Sequence, residues 1–170
     1  MRRNMGTGYN LGMPTLSPLP EPPESLSREA EIRLAHRLAR GITRLFEDLG
    51  CAAIAEFSLA NGRRVDVIAL DGQGRTSIVE IKSSVQDFRS DGKWQEYLEF
   101  CDRFYFAVAP EFPQALLPAE VGLIVADDWH GTILRESPAF AMNGSRRRAQ
   151  TLRIALTGAQ RLRRFTDPRL

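Results

Sequence analysis

The chain has 170 residues, is 43% apolar and 26% charged, and carries a formal net charge of +2. This is the balance of one globular domain with tails. It excludes the strong basic bias of many nucleic-acid binders, and no apolar run reaches the ~18 residues that suggest a membrane span.

Residues 1–24 include Pro14, Pro18, Pro20, Pro22 and Pro23. Prolines at that density forbid a helix and favour extended chain. This segment is expected to be disordered or to lie as a strap on the domain, with no chemistry of its own. The start, Met1-Arg2-Arg3-Asn4-Met5-Gly6, has no apolar stretch behind its arginines, so it does not read as a signal peptide. Cys51 and Cys101 are isolated, without zinc-site spacing or the density of a disulfide scaffold. Both read as small buried apolar residues, and the expected location is the reducing cytoplasm, with no membrane role.

The main domain is expected over residues 25–140. It opens with a long helix, with Ser27 as N-cap and Glu29 and Glu31 at the positive end of the dipole. Leu34, Leu38, Ile42, Leu45 and Leu49 form one apolar stripe, and Gly50 is the stop. His36 lies off the stripe and reads as a surface residue. Glu31 is roughly in phase with Ala35, Leu38 and Ile42. A first strand follows over about 52–59, interrupted by Glu56. A mid-strand glutamate needs a partner, either as a third acid near a metal or through an arginine. Ala60-Asn61-Gly62 is a turn signal.

Two apolar runs come next, Val65-Asp66-Val67-Ile68-Ala69-Leu70 and Ile78-Val79-Glu80-Ile81-Lys82, joined by Asp71-Gly72-Gln73-Gly74. They read as a β-hairpin. Alternation puts Glu80 and Lys82 on one face and Val79 and Ile81 on the other, while Arg64 shares a face with Asp66. Burying a lone charge is costly, and two adjacent carboxylates repel. A divalent cation between them removes the repulsion. Mg²⁺ takes one or two protein carboxylates and keeps its other positions for water and phosphate. A structural ion pair at a sheet edge is the other account of the same three charges.

Residues 83–92 are polar. A helix is expected over 93–101, with Lys93 and Tyr97 on one face and Trp94 either stacked on a base or packed under the sheet. Asp87, Asp91 and Lys93 are placed at the mouth of a cleft. Buried strands are expected over 104–109 and 121–126, with a short helix near Gln114–Leu117 between them. Asp127-Asp128 reads as a strand-ending turn, and Trp129-His130-Gly131 as a hairpin tip with Thr132–Arg135 returning. The basic segment 141–170 contains Arg146, Arg147, Arg148, Arg153, Arg161, Arg163, Arg164 and Arg169. It is expected to be helical and packed on the domain, offering phosphate contacts or a solvated face. The alternation of elements predicts an α/β fold, a mixed central sheet flanked by helices.

The ordered set Asp66, hairpin, Glu80-Ile81-Lys82 resembles the PD-(D/E)XK nuclease superfamily. The longer pattern adds Glu56 to Leu70, Ile78 to Ser84, Asp87-Phe88, Asp91-x-Lys93-Trp94-x-x-Tyr97 and Cys101 to Val108. Over about Arg33 to Glu136 it resembles the MmcB-related family of bacterial DNA repair proteins. The resemblance implies a restriction-endonuclease-like core and catalytic positions at Asp66, Glu80 and Lys82. The superfamily's proline before the aspartate is replaced by Val65.

The expected function is DNA repair through Mg²⁺- or Mn²⁺-dependent phosphodiester hydrolysis. Asp66, Glu80 and the Ile81 carbonyl would hold the metal, and Lys82 would orient water. Glu56, Arg64, Lys93, Trp94 and Tyr97 are further site candidates, and Arg63, Arg146, Arg147 and Arg148 are candidate nucleic-acid contacts. DNA is the expected partner, with other repair proteins beside it. The alternatives are a DNA-binding module of a repair complex without turnover, and an interaction protein that meets no nucleic acid.

Overall fold

A computed structural model describes residues 27–168 of the chain. The proline-rich segment and Arg169 lie outside them. Six strands form one sheet in chain order: β1 (Ala52–Ser58), β2 (Arg64–Leu70), β3 (Thr76–Lys82), β4 (Arg103–Val108), β5 (Gly122–Ala126) and β6 (Gly131–Arg135). Pairing is antiparallel for β1–β2, β2–β3 and β5–β6, and parallel for β3–β4 and β4–β5. The fold is thus an α/β mixed sheet flanked by helices.

Helix α1 (Arg28–Asp48) covers one face. Ser27 caps it by accepting the Ala30 N–H at 3.3 Å. At the other end Gly50 sits at φ +75°, a left-handed conformation that suits glycine, and donates to the Glu47 carbonyl. The buried stripe is Leu38, Ile42 and Phe46, and it packs on Val67, Val79, Ile81 and Tyr105. Leu49 does not continue it. The helix ends at Asp48, so Leu49 has left the helical phase and is 54% exposed.

Gly41 lets α1 close onto the β5–β6 turn, because a Cβ there would stand 2.2 Å from the Asp127 carbonyl oxygen. Asp127 and Asp128 build that turn. Asp127 Oδ1 accepts the Trp129 and His130 N–H groups at 2.7 and 2.8 Å, and the Asp128 carboxylate meets Arg37 and Arg40 on α1.

The opposite face carries a 3-10 helix (Trp94–Phe100) and α3 (Gly144–Thr166). The α-helix expected over 93–101 is replaced because Trp94, Tyr97 and Phe100 recur at steps of three. That is the 3-10 repeat and aligns all three on the core. Lys93 therefore points away from the Tyr97 face and is exposed. A short helix, α2 (Val85–Ser90), forms inside the segment read only as polar. It is too short to show periodicity, and Ser84 caps it by accepting the Asp87 N–H at 3.1 Å.

Helix α3 is fastened along its length, with Arg146 bonded to Glu99 at its start. Arg147 makes a bidentate ion pair with Asp102, which also accepts the Thr76 N–H. Gln150 donates to the Phe100 carbonyl at 3.3 Å, and Arg161 donates to the carbonyls of Ala55 and Glu56.

Glu56 marks a kink in β1. Its φ is +48°, and the β1–β2 pairing runs from Ala55↔Val67 to Phe57↔Val65 with no rung between. Beyond the kink the alternation inverts. Phe57 and Val65 join the core beneath α3, although they share parity with Ala53 and Val67, which face α1.

The Gly41 contact gives an expectation opposite to helix propensity. Propensity alone favours alanine in a helix interior by about 1 kcal/mol. Here Gly41→Ala is expected to destabilise the chain by ~2–3 kcal/mol through the clash with backbone. Urea denaturation measures it, and a neutral result would show that α1 and the turn part freely.

Candidate functional site

The β2–β3 ladder runs from Leu70↔Thr76 to Val67↔Val79 and then stops. One step further the register would set Asp66 opposite Glu80. Instead the Asp66 side chain takes the strand's place, and its Oδ2 accepts the Ile81 N–H at 2.7 Å. On its other side Asp66 lies at the missing β1 rung, so the sheet is open at this residue toward both neighbours.

Glu80 and Lys82 project from β3 on the face shared with Ile78 and lie almost out of solvent, at 8% and 3% exposure. The Lys82 ammonium is 3.6 Å from Glu80 Oε1 and donates to Asp91 Oδ2 at 2.5 Å. It stands 6.0 Å from the centroid of the Phe106 ring. Asp91 closes the end of α2, where its N–H bonds the Phe88 carbonyl. Asp87 holds the exit of β3 by accepting from the N–H and hydroxyl of Ser83.

Charge is tightly balanced here. Burial pushes Glu80 up to about 8, the Asp66 carboxylate adds to the rise, and Lys82 opposes it. Burial also raises Asp66, against the Ile81 N–H and Lys82, which favour its ionised form. For Lys82 burial acts downward, but the Glu80 and Asp91 carboxylates outweigh it and its pKa is raised. Tyr97 lies close enough that burial first, then Glu80 and Asp91, push its phenol to about 12.

Two buried side-chain oxygens have no hydrogen-bond partner among the described residues, Thr76 Oγ1 at the start of β3 and Glu80 Oε2 in the cluster, and the second is a carboxylate oxygen. An unpaired buried carboxylate oxygen is unfavourable unless it is protonated or binds a cation. Among the described residues no group of three or more His, Cys, Asp or Glu side chains is disposed to hold a metal. The donors here are the two carboxylates of Asp66 and Glu80. Such an oxygen-only, two-carboxylate set fits Mg²⁺ or Mn²⁺, which retain several waters.

The remaining candidates fall in different places. Glu56 is exposed, with its carboxylate 3.6 Å from Arg64 and 3.5 Å from His36. Arg64 sits one residue before Val65 and lowers Asp66 electrostatically. Trp94 is buried and stacked on Phe104, with ring centroids 5.5 Å apart, and Tyr97 stacks on the same ring. Arg63 is bonded to Glu96, Arg146 to Glu99, and Arg147 to Asp102, while Arg148 is exposed. Glu31 bonds to none of the cluster among the described residues. Asp91, expected at the mouth of a cleft, is bonded to Lys82, a pairing that the sequence did not reveal. Its pattern, nine positions beyond Lys82 in a polar stretch, resembles any loop acid until the chain folds back.

No helix among the described residues is long and apolar enough to cross a membrane. No curated protein matches the chain. Among solved structures it is similar to the SPO1766 protein of unknown function from Silicibacter pomeroyi, at 43% identity and a TM-score of 0.77, covering 79% of this chain and 92% of that one. The model of the MmcB-like family, described as DNA repair protein MmcB-like, matches residues 21–169. That match spans every described residue, and on it the chain belongs to the MmcB-like family of DNA repair proteins.

Proposed function

We propose that this DNA repair protein is a divalent-metal-dependent phosphodiesterase of the PD-(D/E)XK kind, acting on DNA. The observation that carries the reading is the orphaned Glu80 Oε2, buried next to Asp66 and beside an ammonium. A structural ion pair would leave no such oxygen, since its cost is removed by a better rotamer or an apolar residue.

Asp66 and Glu80 would hold the cation, with the Ile81 carbonyl as a third oxygen. Asp66 is already fixed for this by the Ile81 N–H, which leaves its second oxygen available. A bound Mg²⁺ or Mn²⁺ supplies Lewis acidity toward a phosphate oxygen and acidifies water. Lys82 keeps its positive charge through Glu80 and Asp91, so it orients water by hydrogen bonding and offsets charge on the phosphate. Asp91 fixes the rotamer of Lys82. Arg64, exposed at the open end of β2, would meet the DNA backbone. The cytoplasm is the proposed location.

A second reading is a DNA-binding module of a repair complex that keeps the cluster without turnover. Its support is the short Lys82–Asp91 ion pair, which occupies the ammonium.

Two measurements test these readings. With Mg²⁺ or Mn²⁺, labelled single-stranded, duplex and branched DNA should be cleaved. Asp66→Asn, Glu80→Gln and Lys82→Ala should each lower the rate by ~100-fold or more, with DNA binding retained. A wild-type chain that binds all three forms in a salt-dependent way and cuts none would leave the binding module standing and sink the enzyme.

The second measurement is thermal stability against pH in EDTA. Glu80 carries a folded-state pKa of about 8 against an ordinary 4.5, so its contribution is complete below pH 4.5 and is lost as pH rises through 8. Glu80→Gln should therefore gain on the wild type across that window and melt roughly 3 °C or more higher at its upper end. Mn²⁺ should raise the wild-type melting temperature and leave Glu80→Gln unmoved.

A further inference from the structure

Helix α3 is apolar on two sides. Its inner side carries Gln150 and Ile154, buried against the 3-10 helix and the sheet. Half a turn away, Leu152 and Leu156 are 60% and 54% exposed. With Ala149, Ala159 and Arg163 they recur at steps of three and four, which aligns them in one narrow seam along the outer surface. Isolated exposed leucines need no explanation. Two leucines flanked by small alanines in register on a helix already anchored by its other side form the kind of seam that takes a second helix. The alanines allow close approach, and grooves run along the same line, between Leu152, Leu156 and Gln160 on α3 and Ala60 and Phe100 below.

The charge around the seam selects the occupant. The sequence of α3 contains seven arginines and no aspartate or glutamate. Arg146 and Arg147 are tied to Glu99 and Asp102, and Arg161 to β1 carbonyls, so these belong to the domain. Arg148 on one side of the seam and Arg153 on the other make no ion pair among the described residues, and Arg163 near its end meets only the neighbouring Asp167. A second copy of the chain would bring these arginines against their own kind, which is unfavourable across a helix pair. A membrane-bound helix needs a broad apolar face, whereas the other exposed apolar side chains of α3, Leu162 and Phe165, fall off this stripe and among Arg161, Arg163 and Arg164.

We propose that the outer seam of α3 docks an amphipathic helix of a partner protein whose apolar stripe is flanked by aspartate and glutamate. The proposal is independent of the nuclease reading, since the groove along the seam is lined by α3 with Ala60 and Phe100 and by none of Asp66, Glu80 and Lys82. It gives this repair protein a recruitment surface separate from Asp66, Glu80 and Lys82, so one chain can be held in an assembly while its cluster stays open to DNA.

The test uses the full chain and two synthetic helical peptides, identical in a leucine heptad seam, one flanked by glutamate and one by lysine. Fluorescence anisotropy should show binding of the glutamate peptide, at least ~10-fold tighter than the lysine peptide at low salt and weakened by added salt. Leu152→Asp and Leu156→Asp should each weaken it about 10-fold or more, with circular dichroism and melting unchanged because both side chains are exposed. Arg148→Glu combined with Arg153→Glu should reverse the preference toward the lysine peptide. The proposal is overturned if neither peptide binds, or if both bind alike. It is also overturned if sedimentation shows a dimer that Leu156→Asp dissolves, or if vesicles of anionic phospholipid or duplex DNA bind through the two leucines while the glutamate peptide does not. Cleavage is not read in any arm, so failure here leaves the nuclease reading untouched.

Discussion

The opening of the sheet at Asp66 is the constraint on which the site rests. A backbone N–H in the interior must be satisfied. At Ile81 that need is met by a carboxylate oxygen and not by the next ladder carbonyl. The substitution has two consequences. It ends the β2–β3 ladder one step early, and it turns Asp66 inward beside Glu80. The matching gap on the β1 side is held by Arg161 from α3, which bonds the carbonyls on either side of the Glu56 kink. The kinked backbone carries a cost of about 1–2 kcal/mol for a non-glycine residue in the left-handed region. It persists where tertiary bonds over-determine it, and such places tend to be functional.

Around that opening the protein holds two carboxylates and an ammonium at a distance from water where they depend on one another. Lys82 is kept charged by Glu80 and Asp91, and Glu80 is kept from full ionisation by burial and by Asp66. Removing Lys82 would leave its carboxylate partners buried without a counter-charge, which costs far more than an exposed pair contributes. The α2 segment therefore has a clear part in the architecture. Through Asp87 it fixes the end of β3, and through Asp91 it fixes the lysine. The aromatic floor of Trp94, Tyr97, Phe104 and Phe106 sits beneath and keeps the dielectric low.

The exterior follows a different rule from the interior. Most arginines of α3 near the domain are spent on internal carboxylates and carbonyls. The near-neutral net charge thus hides a division between arginines that fold the chain and arginines that face outward. Arg147, bridged to Asp102 across 45 residues, is of the first kind, and Arg148 beside it is of the second. Adjacent residues in one basic run thereby serve separate ends, because a helix turns by about 100° per residue.

Local chemistry was readable from the residues alone. β-Branched and aromatic runs mark six strands, Ser27 and Gly50 mark the ends of α1, and Asp66, Glu80 and Lys82 announce a cluster by standing as charges in apolar runs. Each depends on neighbours within a few positions, and periodicity or capping reports such neighbours directly. The 3-10 repeat of Trp94, Tyr97 and Phe100 was also written in the spacing, though it is easily mistaken for an α-helical one. The rest depended on residues far apart in the chain meeting. Asp91 on Lys82, Arg147 on Asp102, Arg161 on the Glu56 kink and the second apolar side of α3 have no local signature, since an acid or arginine in a polar stretch looks the same whether it is solvated or buried in a pair. Which of them folds inward is settled by the crossover that brings β3 beside β4 and lays α3 across the sheet, and that is a property of packing.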